Sequence, residues 1–170
     1  MFNFKQYAFI LFLFAFSIPS SAQFFIEGGL GNANAEEDDI EGDDMYSRIA
    51  AGYQYSDALS FEGGYWDLGE PEDGPVIAAA DGIYAAVKGT FDTGGSAGVF
   101  GRVGLYSWDS TICVRSVGCL DDSGSDIFFG GGVGFAAGPG TFNLELHLMS
   151  LEDVDVTTIG ASYSYRFDAK

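Results

Sequence analysis

The run Ile159-Gly160-Ala161-Ser162-Tyr163-Ser164-Tyr165-Arg166-Phe167 alternates without a break. Ile159, Ala161, Tyr163, Tyr165 and Phe167 share one parity, while Thr158, Gly160, Ser162, Ser164 and Arg166 share the other. Successive side chains of an extended chain point to opposite faces, so this stretch reads as a strand with one apolar and one polar face. The same test finds seven more segments upstream: Phe24 to Gly31, Tyr46 to Tyr55, Leu59 to Leu68, Gly82 to Phe91, Ser96 to Trp108, Ile127 to Ala136, and Thr141 to Met149, before the last strand, Val156 to Phe167. Most are close to the ~9–11 residues that a tilted strand needs to cross a bilayer.

The connections alternate in length. Ser56-Asp57, Asp92-Thr93-Gly94-Gly95 and Ala137-Gly138-Pro139-Gly140 read as tight turns. Asn32 to Met45, Gly69 to Asp81, Asp109 to Asp126 and Ser150 to Asp155 read as longer loops. Short turns on one side, longer loops on the other and an even strand count are the plan of an outer-membrane barrel. No stretch after the N-terminal segment is long and apolar enough for a spanning helix, and only helices and closed barrels satisfy every backbone group in lipid. The expected fold is all-β: an eight-stranded antiparallel up-and-down transmembrane β-barrel.

The N-terminal segment sets the compartment. Lys5, the apolar run Tyr7 to Ile18 and the small residues of Pro19-Ser20-Ser21-Ala22 form a signal peptide over residues 1–22, with cleavage expected after Ala22 and the barrel domain occupying 23–170. Composition agrees with export to a membrane: 25 Gly, only 4 Pro, 16% aromatic residues, and 19% charged residues against about 25% in soluble proteins. A net charge of −18 excludes nucleic acid as a partner, because such binding needs a basic face.

Parity also sorts the charges. Glu27, Arg48, Glu62, Lys88, Arg102, Glu145 and Arg166 fall on faces opposite the apolar stripes, and this set holds four of the chain's 7 basic residues. His147 shares the inner face of its strand with Asn143 and Glu145. Charges enclosed in a narrow barrel must pair, since an isolated one away from water is very costly. The expected arrangement is a salt-bridge network that fills the lumen, in preference to an ion path, because eight strands leave little room beyond side chains. The outward aromatics Phe24, Tyr53, Tyr55, Phe61, Phe91, Phe135, Phe142, Tyr163, Tyr165 and Phe167 all lie near a short turn or a terminus. That places a single interfacial girdle at one end.

The pattern from Phe24 to Phe167 resembles the OmpA/OmpX-like eight-stranded outer-membrane barrel family. The run Ile159-x-Ala161-x-Tyr163-x-Tyr165-x-Phe167 is similar to the terminal strand that the outer-membrane assembly machinery recognises in that class, with Asp168-Ala169-Lys170 following where the family pattern ends on the aromatic. The resemblance covers the transmembrane domain and not the peptidoglycan-binding domain of the longer members. It implies a Gram-negative outer membrane, with its lipids, lipopolysaccharide and assembly machinery as partners, and no cofactor.

Three other features invite a chemical reading. Cys113 and Cys119 lie close together in a polar stretch; an exported setting points to a disulfide, and a structural zinc site would need ligands that are not nearby. Glu36, Glu37, Asp38, Asp39, Glu41, Asp43 and Asp44 offer oxygen ligands for a cation such as calcium, although like charges at this spacing more often form a solvated, self-repelling segment. His147 is the one histidine and the one obvious general base near neutral pH; with no nucleophile and acid converging on it, the expectation is a buried structural histidine and no enzyme. The functional expectation is a structural or surface-exposed barrel, with a narrow porin-like channel as the first alternative and a lipid-modifying enzyme as the second.

Overall fold

The computed structural model describes residues 23–37, 40–70, 72–73, 76–114, 118–151 and 154–167. Its strands are β1 (Gln23–Glu37), β2 (Ile40–Ser56), β3 (Leu59–Asp67), β4 (Glu72–Asp73), β5 (Val76–Asp92), β6 (Ala97–Val114), β7 (Gly118–Ala137), β8 (Gly140–Leu151) and β9 (Val154–Arg166). Each long strand pairs antiparallel with its neighbours in sequence, and β1 pairs with β9 from Phe25↔Arg166 to Glu36↔Asp155. β3 pairs with β5 from Leu59↔Gly89 to Asp67↔Asp81, which closes the sheet into a barrel of eight long strands. β4 is a two-residue rung on β5.

The turns at one end are as short as their sequences require. Gly138 takes a φ of 62° between β7 and β8, the left-handed value that lets a glycine open a two-residue hairpin turn. At the opposite end the structure differs from the expected loops. The Asn32-to-Met45 segment is mostly ladder, continuing to Glu37↔Ile40, and the Asp109-to-Asp126 segment continues to Val114↔Gly118. Likewise, much of the Gly69-to-Asp81 segment belongs to β5, and Ser150 and Leu151 pair with Asp155 and Val154. Beyond the barrel both faces of a hairpin meet water, so apolar–polar alternation fades while backbone pairing persists. The alternation therefore stops before the strands do.

The projections are unequal. β7 pairs with β8 from Phe128 to Ala137, so, among the described residues, 118–127 are paired on the β6 side alone.

Solvation is inverted relative to a soluble barrel. Ile26, Leu30, Ile49, Ile83, Leu105, Phe129 and Leu148 are exposed on the outer wall, whereas Glu27, Arg48, Glu62, Arg102, Glu145 and His147 are buried inside. A continuous apolar exterior of this kind is a lipid-facing surface. Phe24, Tyr55, Phe61, Phe91, Phe135, Phe142, Tyr163, Tyr165 and Phe167 are exposed near the short-turn end, and half-buried Tyr53 packs edge-on to Phe24.

Glycines make room for the interior bulk. A Cβ on Gly130 would strike the His147 ring, one on Gly52 the Phe25 ring, one on Gly104 the Phe128 ring and one on Gly124 the Trp108 ring. Each of these four inward rings therefore packs against a glycine of an adjacent strand. Gly101 instead faces outward, with nothing within 4 Å of a Cβ there. Gly130→Val is expected to destabilise the barrel by about 1–3 kcal/mol through overpacking. Gly101→Val should stay within about 0.5 kcal/mol of the parent. Urea unfolding of the refolded protein in lipid vesicles compares the two.

Candidate functional site

Six strands each send one charged side chain to the middle of the lumen: Glu27 from β1, Arg48 from β2, Glu62 from β3, Lys88 from β5, Arg102 from β6 and Glu145 from β8. The two guanidinium groups are the hubs. Arg48 Nη2 donates to Glu27 Oε1 at 2.7 Å and Glu145 Oε1 at 2.6 Å, and its Nη1 donates to Tyr84 Oη at 2.8 Å and Glu62 Oε1 at 3.4 Å. Arg102 reaches the same three acids, at 3.0 Å to Glu27 Oε1, 2.8 Å to Glu62 Oε1 and 3.2 Å to Glu145 Oε2. Three acids and three bases leave the cluster neutral, which is the condition for holding charges out of water.

His147 stands beside this cluster, fully buried. Arg102 Nη1 lies 2.7 Å from His147 Nε2, and an arginine can only donate, so Nε2 is the acceptor. The ring proton then sits on Nδ1, 3.2 Å from Thr158 Oγ1. Both nitrogens are engaged structurally, and Ser150 lies on the opposite, outer face of β8. A base whose acceptor lone pair is occupied by a guanidinium has nothing left with which to take a proton from a substrate.

Toward the long hairpins the charges give way to rings. Trp66 is at the centre, with ring centroids 4.8 Å from His147, 5.4 Å from Phe128, 5.8 Å from Tyr84, 5.9 Å from Tyr46 and 5.9 Å from Tyr106. Arg48 Cζ lies 5.4 Å from the Trp66 centroid, so the two layers touch through a cation–π contact. Leu68, Trp108, Met149, Leu151 and Val156 continue the packing. Tyr46 Oη, Trp66 Nε1 and Arg48 Nε are buried without a hydrogen-bond partner where the layers meet, the kind of polar gap that an internal water fills. The aromatic layer was not anticipated as a unit, although its signal was present: Trp66 shares the parity of Glu62, and Tyr106 that of Arg102.

The family profile described as an outer membrane protein beta-barrel domain matches residues 8–167. The chain belongs to that family. Among solved structures, this outer-membrane barrel is similar to Neisserial surface protein A, with a TM-score of 0.71 at 18% identity over 87% of this chain and 100% of that one. It is also similar to Ail, the attachment invasion locus protein of Yersinia pestis, with a TM-score of 0.62 at 16% identity over 86% and 99%. The N-terminal barrel domain of Pseudomonas aeruginosa OprF gives a TM-score of 0.59 at 16% identity over 86% and 100%. At these identities the likeness is one of fold. No curated protein matches the sequence significantly.

The remaining candidate residues of the outer-membrane barrel lie away from the lumen centre. Arg166, expected in the lumen network, is exposed at the short-turn mouth and donates to Thr141 Oγ1 at 3.2 Å. It shares the inner parity of β9 but occupies the last rung, opposite Phe25, and parity fixes a face without fixing a depth. Cys113 and Cys119 form a disulfide at the end of the β6–β7 hairpin. In the acidic segment, Glu36 and Glu41 occupy facing positions of the β1–β2 ladder, and Asp38 and Asp39 lie outside the described residues. Asp43 accepts from Asn32 at 3.4 Å, and Asp44 accepts from the Met45 and Glu70 amides at 2.7 Å each. Those two amides hold the Asp44 carboxyl below its usual range and tie the β3–β5 connection to β2. No group of three or more metal-ligating side chains is gathered among the described residues.

Removing Arg48 leaves three buried carboxylates facing only Arg102 and Lys88, one negative charge uncompensated, so Arg48→Met is expected to cost about 3–5 kcal/mol. The double variant Arg48→Met/Glu145→Met should lose less than the sum of the single losses, because the charges leave in a matched pair. A double-mutant cycle from urea unfolding measures that coupling.

Proposed function

We propose that this protein is a surface-exposed structural barrel of the Gram-negative outer membrane, whose work is done by its projecting hairpins and not by passage through its lumen. The observation that carries this reading is the two-layer plug, in which a neutral ion cluster lies beneath a packed aromatic layer centred on Trp66. In barrels of this class short turns face the periplasm and the longer connections face outward. On that orientation the outer end is strongly acidic. Of the 25 acidic residues, only Glu27, Glu62 and Glu145 in the lumen, Asp57 and Asp92 in short turns, and Asp168 after the last strand lie elsewhere. Arg115 is the sole Lys or Arg in the outer segments.

This charge distribution selects among partners. One structure of Ail holds the heparin analogue sucrose octasulfate, but a polysulfate would be repelled by the acidic end here. Divalent cations condense diffusely on the acidic segments, and the outward apolar wall sits among membrane lipids and lipopolysaccharide. The aromatic-ended β9, with Tyr165 and Phe167 rings 5.1 Å apart, is the segment offered to the assembly machinery. The channel reading is disfavoured because Trp66, Tyr46, Tyr106 and Phe128 fill the cross-section.

Reconstitution into planar bilayers tests the plug: the expected record is flat, and discrete conductance steps would overturn the reading. Cleavage after Ala22 predicts that the protein isolated from outer membranes has a mass corresponding to a chain beginning at Gln23. A mass that retains residues 1–22 contradicts it.

A further inference from the structure

The short-turn mouth opens into a cup of about 600 Å³, walled largely by polar groups that include Gln54, Thr141, Asn143 and Ser164. Lys88 lies at its floor. The residue is only 9% exposed, yet its ammonium is 3.6 Å from Glu27 Oε2, beyond hydrogen-bond distance. Glu27 is engaged elsewhere, since its Oε1 receives Arg48 and Arg102 at 2.7 and 3.0 Å. Besides that long pair, Lys88 rests on the Phe100 face, with Nζ 4.1 Å from the ring centroid. The Lys88 side chain is 11% exposed and opens to the cup, and among the described residues none of the three ammonium donors makes a hydrogen bond. The two arginines of the same cluster, by contrast, are engaged with several acceptors each.

From this we infer that the cup is a binding site for a small monoanionic carboxylate, docked on Lys88 Nζ with its body among the polar walls. The charge of the anion is limited by the surroundings. The lumen cluster is neutral without a ligand, and Glu27 Oε2 is close to the docking point, so a dianion would meet repulsion that a monoanion largely escapes. Phe100 offers the carboxylate's alkyl end an apolar flank. At the mouth, Arg166 attracts an entering anion, while Asp57 and Asp92 stand in the turns. Asp92 is four residues along β5 from Lys88, roughly 13 Å at the rise of an extended strand, so its field at the floor is weak. The chemistry depends on the mouth and not on which compartment it faces, so this site stands or falls separately from the surface role proposed above.

The test is a titration of the refolded full barrel with sodium acetate, with sodium chloride at equal ionic strength as control, read by NMR at the Lys88 ammonium and the Phe100 and Ser164 amides. Acetate should give saturable shifts at these groups and chloride should not. Lys88→Gln should weaken acetate binding by roughly tenfold or more, the value of a hydrogen bond to a charged group, and Lys88→Arg should retain it. Inorganic phosphate near neutral pH should bind more weakly than acetate. Equal, non-saturable drift with both salts means that water alone fills the cup and overturns the proposal. Saturable shifts that persist in Lys88→Gln overturn it too, by placing the anion elsewhere. Should Lys88→Gln fail to refold, the location of the wild-type shifts decides on its own.

Discussion

The structure depends on charge neutrality at the centre of the barrel. Moving a single ion into a medium of low dielectric costs on the order of 20 kcal/mol in the idealised limit, several times what any packing contact returns. Arg48 and Arg102 meet this constraint by sharing the same three carboxylates, so that neither guanidinium depends on one partner and each acid is held from two sides. Five strands are thereby tied to one point, and β5 joins them through Tyr84 and Lys88. The wall register and the cluster geometry specify each other: a slip of one residue in any of these strands would turn its charge toward lipid.

The cluster is feasible only because the opposite surfaces are empty. β7 carries Gly130, Gly132 and Gly134 where it passes the His147, Phe100 and Asn143 side chains. The two strands that contribute no charge, β7 and β9, supply glycine and small hydroxyl residues at the level of the cluster. Bulk on one strand thus meets space on its neighbour. This accounts for a high glycine content where the described residues are almost entirely strand, despite glycine's poor strand propensity.

Most of the barrel was legible from period-2 alternation, because lipid on one side and a crowded lumen on the other demand it. β8 and β9 lie within about two residues of their expected limits, since there the alternation runs almost to the hairpin. β7 begins at Gly118, well before the expected Ile127, because Asp121, Asp122, Ser123 and Ser125 are polar on both faces and carry no period. Parity alone groups Glu27, Arg48, Glu62, Lys88, Arg102 and Glu145 on inner faces, and the structure brings those side chains together. Depth was harder to read. Arg166 has the right parity and the wrong height, and Trp66 gives no signal of its own because a tryptophan within a strand stands out only by its height relative to Tyr46, Tyr106 and Phe128. Height follows from the stagger of the strands around the barrel, which no single segment encodes.

The unpaired margin of β7 bears on how copies coexist in a crowded membrane. Among the described residues, 118–127 leave one row of backbone groups unmatched, and such a row is a template for any extended chain that drifts alongside. Two barrels diffusing in one plane would bring identical margins together repeatedly. Asp121, Asp122 and Asp126 lie along that margin, so a self-pairing would set carboxylates against carboxylates at strand spacing. Like charges along that margin oppose the joining of neighbouring copies into a continuous sheet.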